Sequence, residues 1–255
     1  MTRLCDSFDG FLVDLDGVVH VGWKPVPGAV RTLTGLAAAG KGIVFLTNEP
    51  RFSREQIALR LRSFGLAVTV EQVVTAGWVG AVRVARGGGT VYVLGSAQLR
   101  DEVTAAGAPV LSEQDAGAAA KVLVSGHDDV DYRQLRAACR AGSNGAELYA
   151  TSRDPTFPMP DGPWPATGAI LAAVETAVGR RAVSVGKPEP HIFRMARARL
   201  GPGRIAVVGD RVDTDITGGR RAGLATILVR GEEPGEGSPA ADHELADLTG
   251  LLGGE

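Results

Sequence analysis

A chain of 255 residues, 44% of them apolar, has the length and hydrophobic content for one large domain or two modest ones that fold unaided. Its 27 basic and 29 acidic side chains leave a net charge of -2, which excludes a basic field able to gather nucleic acid or an anionic membrane, so any phosphate must be bound locally. Cys5 and Cys139 stand far apart in sequence and outside any metal-ligand spacing, so neither a disulfide framework nor a thiolate zinc site is indicated. The apolar runs are far short of a membrane span and the N-terminus lacks a signal-peptide pattern, so a cytoplasmic protein is expected.

Phe11-Leu12-Val13 stops at Asp14-Leu15-Asp16-Gly17, the pattern of a buried strand ending where acids replace apolar side chains. Val30, Leu33 and Leu36 follow at helical spacing, with Gly40 where a helix-terminating glycine belongs. Residues 43–46 form a second buried-strand run that delivers Thr47 and Asn48 at its end. Ser53 and Gln56 stand at capping-box spacing before Ile57 and Leu61, and Gly65 can close that helix. Strand, helix, strand, helix is the rhythm of a parallel sheet with crossover connections.

Residues 80–181 read as a second unit, with Gly87-Gly88-Gly89 near its start. Runs 91–94 and 122–124 are strand-like, and residues 132–140 and 168–178 are helical. Between those helices, Arg153-Asp154-Pro155-Thr156-Phe157-Pro158-Met159-Pro160-Asp161-Gly162-Pro163-Trp164-Pro165 carries too many prolines for either element and is expected to be a stiff loop. The alternation resumes with residues 182–185, a helix starting near Pro188, the run 205–208 ending at Gly209-Asp210, and the run 226–229. An acidic stretch with Glu232, Glu233 and Glu236, expected to be a flexible connection, and the run 245–252 close the chain. The expected architecture is α/β: a doubly wound parallel-sheet core from residues 1–79 and 182–255, with residues 80–181 inserted between them.

Phosphoryl transfer needs a nucleophile, a proton donor for the leaving oxygen and positive charge around the phosphoryl oxygens. Asp14 and Asp16 stand two apart at a strand end, where alternation turns them to a similar side until the backbone turns at Gly17. One carboxylate of such a pair can attack while the other donates a proton, dividing a hard hydrolysis into two steps through an acyl phosphate. An anion attacking an anion needs a cation between them, and Mg²⁺ suits because it binds few carboxylates and keeps waters and phosphate oxygens. Asp210 is the natural third carboxylate, and Asp215, in the same acidic run, is placed to hold a metal-bound water or to orient Lys187. Lys187, in Gly186-Lys187-Pro188, supplies a point charge for phosphate, and Thr47 and Asn48 offer a hydroxyl and an amide. All of these positions follow candidate parallel strands, whose carboxyl ends are where open α/β sheets bind ligands.

Taken singly, each feature is ordinary: an Asp-x-Asp pair caps or turns, a Gly-Lys-Pro turn carries a solvated lysine, and Thr-Asn is turn chemistry. The order of all of them, each after an aliphatic run, is what points to catalysis. His20, His127, His191 and His243 lack metal-ligand spacing and read as surface or capping histidines. Trp23, Trp78 and Trp164 read as packing residues, with Trp164 and Phe157 also candidates to touch a substrate. Arg194, Arg197 and Arg199 form the wet face of a helix whose dry face is Ile192, Phe193, Ala196 and Leu200.

With Asp14-Leu15-Asp16-Gly17, Leu46-Thr47-Asn48, Gly186-Lys187-Pro188 and the Gly209-Asp210 to Thr214-Asp215 run in this order, the sequence resembles the haloacid dehalogenase superfamily. The nearest branch is the NagD-like and p-nitrophenylphosphatase group, which includes pyridoxal phosphate and glycerol phosphate phosphatases. The likeness runs from Phe8 to about Arg230 and takes in Ala150-Thr151-Ser152-Arg153-Asp154-Pro155 and the run 167–175. It implies a Rossmann-like core with a large α/β cap, and a Mg²⁺-dependent phosphatase in which Asp14 is the nucleophile and Asp16 the general acid and base. The ion would be held by Asp14, the backbone carbonyl of Asp16 and Asp210, with Asp215 in support, while Thr47, Asn48 and Lys187 contact the phosphoryl group. The resemblance further implies that the proline-rich loop, with Asp154, Phe157 and Trp164, reaches over the core to select substrates, and that the chain forms a homodimer through the cap. Two departures bear on specificity: relatives commonly read Thr-Asn-Asn-Ser where Asn48 is followed by Glu49-Pro50-Arg51, and Pro-Gly-x-Gly where this chain has Pro165-Ala166-Thr167-Gly168.

A closing cap excludes water and folded proteins, which favours small phosphomonoesters such as glycerol phosphate, pyridoxal phosphate, sugar phosphates or nucleotides, with p-nitrophenyl phosphate as an artificial substrate. No nucleic-acid or membrane partner is expected. The competing readings are a phosphotransferase or mutase that passes phosphate to an alcohol, a receiver-type signalling module, and a non-enzymatic phosphate binder. A receiver needs about half this length, within ordinary single-domain size, and a binder needs no proton donor beside its nucleophile.

Overall fold

The computed structural model describes residues 3–159, 161–229 and 240–253, and the chain divides into two compact units. One unit contains the chain up to Thr47, Arg54–Val74 and the chain from Lys187 onward; the other contains Asn48–Ser53 and Thr75–Gly186. The acidic stretch with Glu232, Glu233 and Glu236 lies outside the described residues.

In the first unit the aliphatic runs become a six-stranded sheet in the order His243–Leu245, Ala225–Val229, Ile205–Gly209, Gly10–Asp14, Gly42–Thr47, Val73–Thr75. Gly10–Asp14 pairs in parallel with Ile205–Gly209 on one side and Gly42–Thr47 on the other. Every residue of Gly10–Asp14 and Ile205–Gly209 is buried, as befits central parallel strands covered on both faces. Register sets Val13 beside Val208 and Asp14 beside Leu46, so the strand ends carrying Asp14, Thr47 and Gly209 come out at one edge of the sheet. Helices Ala29–Ala38, Arg54–Ser63 and Pro190–Arg197 bury Leu33 and Leu36, Ile57 and Leu61, and Ile192, Phe193 and Ala196 respectively. After Gly209 the chain makes a π-helical turn, Val212–Ile216, before helix Thr217–Arg221; such wide turns recur at functional sites.

The second unit has its own parallel sheet, in the order Val183–Ser184, Glu147–Ala150, Lys121–Val124, Val91–Leu94. Helices Ala76–Ala85, Ala97–Ala105, Tyr132–Ser143 and Thr167–Val178 accompany it. Leu94, Val122, Val124, Leu148, Leu171 and Val174 lie in its core. Its bounds, Thr75 and Gly186, lie outside the 80–181 read from the sequence, and residues 48–53 join it as well. The run 182–185 was expected in the core sheet; instead Val183 and Ser184 pair with Tyr149 and Ala150 at the edge of the smaller sheet.

The proline-rich stretch is likewise corrected from a loop to an antiparallel ribbon of Thr156–Met159 and Gly162–Pro165, with Phe157 opposite Trp164. In that register Pro158 and Pro163 stand opposite each other. Among the described residues no helix is long and apolar enough to cross a membrane.

Candidate active site

The first unit gathers its charge around Lys187. Its ammonium donates to Asp14 Oδ1 at 2.6 Å and to Asp215 Oδ1 at 2.7 Å, and all three side chains are buried. Asp14 ends its strand, Lys187 precedes helix Pro190–Arg197, and Asp215 sits in the π-helical turn, so the trio unites three separate parts of the chain. Asp210 adds a third carboxylate: one oxygen each from Asp14, Asp210 and Asp215 lie within 4.8 Å of one another.

Three carboxylates against one ammonium leave surplus negative charge where water cannot screen it. Burial pushes the Asp14 carboxyl up to about 7, with Lys187 pulling it down and Asp210 and Asp16 pushing it further up. Burial followed by the charge of Asp14 takes Asp215 to about 7, and burial followed by Asp215 takes Asp210 to about 6. Burial works against the charge on Lys187, but Asp14 and Asp215 outweigh it and hold the lysine above its ordinary range.

Asp210 Oδ1 is buried and accepts no hydrogen bond from the described residues. An orphaned carboxylate oxygen beside excess negative charge fits a divalent cation, which satisfies both at once. A donor set made only of carboxylate oxygens suits a hard ion such as Mg²⁺ better than zinc. Two glycines permit the crowding. Gly17 has φ +85°, and a Cβ there would lie 2.1 Å from Asp210 Oδ2; a Cβ on Gly209 would lie 2.3 Å from Asp215 Cγ.

Asp16 stands apart from that carboxylate group, its side chain 47% exposed. Thr47 Oγ1 donates to Asp16 Oδ2 at 3.5 Å, and His20 Nδ1 lies 3.7 Å from Asp16 Oδ1. His20 is therefore not the surface histidine read from sequence: only 3% of it is exposed, because the turn after Asp16 folds it inward. Trp23 departs the other way, 70% exposed, with the Arg60 guanidinium 4.0 Å over its ring. His127 is half-buried, its Nε2 3.0 Å from Gln134 Oε1.

Asn48 belongs to the second unit, where its Nδ2 donates to Asp154 Oδ2 at 2.8 Å. Arg51 donates to both carboxylate oxygens of Glu49, at 2.8 and 2.7 Å, and lies 4.4 Å over the Phe157 ring. Phe157 meets Trp164 edge-on at 6.3 Å. The Glu49-Pro50-Arg51 departure and the aromatic pair of the ribbon thus form one cluster. Sequence reasoning missed this pairing and the placement of His20; a local signal existed only for His20, in the glycine that turns the chain after Asp16.

Residues 11–109 match the haloacid dehalogenase-like hydrolase family, and residues 184–249 match a second family described as HAD-hydrolase-like. The sequence is 38% identical to chronophin from Homo sapiens, across 92% of this chain and 87% of that one. The fold is similar to p-nitrophenyl phosphatase from Archaeoglobus fulgidus, with TM-score 0.87 and 30% identity over 96% of this chain and 98% of that chain. It is also similar to glycerol phosphate phosphatase from Mycobacterium tuberculosis in complex with magnesium, with TM-score 0.89 and 31% identity over 98% and 78% of the two chains.

Proposed function

The chain belongs to the haloacid dehalogenase-like hydrolases and is a phosphoric monoester hydrolase, and from that premise we propose that it hydrolyses a small-molecule phosphomonoester with Mg²⁺, through a phosphorylated Asp14. The observation that carries this reading is Lys187 bridging Asp14 and Asp215 beside Asp210, whose buried Oδ1 has no protein partner among the described residues. Asp14, Asp210 and the backbone carbonyl of Asp16 would hold the ion, with Asp215 behind them on Lys187. When bound, a divalent ion supplies the charge that lets an anionic carboxylate approach an anionic phosphate.

Lys187 occupies one oxygen of Asp14, which leaves the other to attack phosphorus. As that P–O bond forms, the bond to the leaving oxygen breaks and Asp16 gives its proton to the departing alkoxide. The Asp16 carboxylate then takes a proton from water, whose oxygen attacks the same phosphorus; the bond to Asp14 breaks, and both side chains return to their starting state. The half-exposed setting of Asp16 suits a group that must meet both a leaving alcohol and a water. A small substrate is supported by relatives named for glycerol phosphate and p-nitrophenyl phosphate.

Asp14→Asn tests the reading, because it removes the attacking oxygen's charge while conserving shape. Phosphate release from p-nitrophenyl phosphate and from a metabolite panel, with and without Mg²⁺, is expected to vanish while the folded protein persists. Retained Mg²⁺-dependent turnover in that variant would overturn the assignment.

A further inference from the structure

Resting on the role given to Lys187 in the proposed reaction, we infer that Gly186 is the positioning residue of that lysine: lacking a side chain, it lets the chain run against the Thr151 carbonyl and so delivers the ammonium to Asp14 and Asp215. Gly186 is the last residue of the second unit, and Lys187 opens the stretch that returns to the first. The backbone of Gly186 is not among the left-handed glycines, so conformation alone would admit any residue there. Space does not. A Cβ on Gly186 would lie 2.2 Å from Thr151 O, 2.5 Å from Asn48 Oδ1 and 3.0 Å from Ala76 Cβ. Asn48 and Thr75 are where the chain enters the second unit, so its entry points and its exit are packed together around this one glycine.

The Asn48 amide is the tip of a side chain, but the Thr151 carbonyl is backbone, and its surroundings hold it. Thr151 N donates to Val124 O at 3.0 Å, and Val185 N donates to Ala150 O at 3.0 Å, which continues the pairing of Val183 with Tyr149 and Ser184 with Ala150. The Thr151 hydroxyl is buried in a chain of hydroxyls, 3.0 Å from Ser125 Oγ and 3.3 Å from Thr167 Oγ1, and the latter accepts from Gly126 N at 2.8 Å. A side chain at position 186 is therefore relieved by moving position 186 itself. The next residue along carries the ammonium that donates to Asp14 Oδ1 at 2.6 Å and to Asp215 Oδ1 at 2.7 Å. An escape of about 1 Å passes straight to that residue, and a misplacement of this size in an active site costs about a hundredfold in rate.

The experiment is a double-mutant cycle between Gly186→Ala and Lys187→Met, read as kcat for p-nitrophenyl phosphate with Mg²⁺ and as the affinity for inorganic phosphate by titration calorimetry. Gly186→Ala is expected to lower kcat by about a hundredfold and to weaken phosphate binding by about tenfold. Lys187→Met removes the ammonium and is expected to lower both at least as far. The pair is expected to be no worse than Lys187→Met alone, because the glycine acts through a lysine that is then absent. Phosphate affinity completes the cycle where turnover by Lys187→Met is too slow to measure. Gly142→Ala crowds the core of the same unit, its Cβ 2.7 Å from Val178 Cγ2, and is expected to keep kcat. Thr151→Ala takes Thr151 out of the hydroxyl chain and lets its carbonyl drift. It is expected to lower kcat by about fivefold and to leave phosphate affinity in the Lys187→Met background unchanged, which keeps the test alive if Gly186→Ala does not fold. A folded Gly186→Ala protein with native kcat and phosphate affinity, or losses that add in full to those of Lys187→Met, overturns the positioning role and leaves the reaction standing. If Lys187→Met itself keeps native kcat and phosphate affinity, the role given to the lysine falls and this inference falls with it.

Discussion

Gly17 is where backbone conformation and charge placement meet in one residue. Its φ of +85° lies in the left-handed region, and a methyl group there would sit 2.1 Å from Asp210 Oδ2 and 2.8 Å from Asp210 Cγ. Gly17→Ala therefore carries a backbone cost of about 1–2 kcal/mol and also displaces the third carboxylate. Urea unfolding is expected to report that loss, and the Mg²⁺ concentration giving half-maximal activity is expected to rise, because Asp210 no longer stands where it did. Wild-type Mg²⁺ dependence in a folded Gly17→Ala protein would show that Asp210 is not a ligand. Asp154 belongs to the same scale. It reads from sequence as part of a substrate-selecting loop, yet it accepts from Asn48 at 2.8 Å, a pairing between residues over a hundred positions apart that no local pattern announces.

Elements built on continuous apolar runs were legible, because a strand covered on both faces is apolar along most of its length; residues 11–13, 43–46, 205–208 and 227–229 carry that signature. Helix Ala97–Ala105 escaped notice because it buries only Leu99 and Val103, too thin a stripe to stand out. The strand Val183–Ser184 is two residues long and took its identity from its neighbour, which is a non-local fact. The positions of the strand-end residues were legible for a different reason: Asp14, Thr47 and Asp210 each follow an apolar run, so the residues that leave the sheet could be named before the sheet was seen. The end of helix Ala76–Ala85 depends on an unforeseen partner, Lys121, which opens the strand Lys121–Val124. Its buried Nζ donates to the carbonyls of Val84 at 2.8 Å, Arg86 at 2.6 Å and Gly88 at 2.9 Å, supplying donors where the helix has run out of its own. Lys121→Met is expected to cost about 2–3 kcal/mol in urea unfolding, with kcat unchanged for the protein that remains folded. A loss under about 0.5 kcal/mol would mean that water serves those carbonyls equally well.

Over the whole molecule the charge nearly cancels, at -2 in 255 residues, while one buried point holds three carboxylates and a single ammonium. That imbalance links folding to pH. An unfolded aspartate ionises near its ordinary value of about 4, whereas in the folded protein Asp14 and Asp215 are raised to about 7 and Asp210 to about 6. Between those limits the folded state binds more protons than the unfolded state, so this cluster makes stability fall as pH rises from about 4 to about 7, and level off above. A divalent ion bound among the carboxylates favours their charged forms and opposes that fall, and it stabilises the folded state by mass action. Thermal unfolding with chelator is therefore expected to show a melting temperature that declines between about pH 5 and about pH 7.5, and the rise on adding saturating Mg²⁺ should be larger at the higher pH. Asp210→Asn removes one of the crowded charges. Chelated at about pH 7.5 it is expected to melt above the chelated native protein, yet to gain less from Mg²⁺. A Mg²⁺ increment that is the same at both pH values, and the same in Asp210→Asn, would place the ion somewhere other than among Asp14, Asp210 and Asp215.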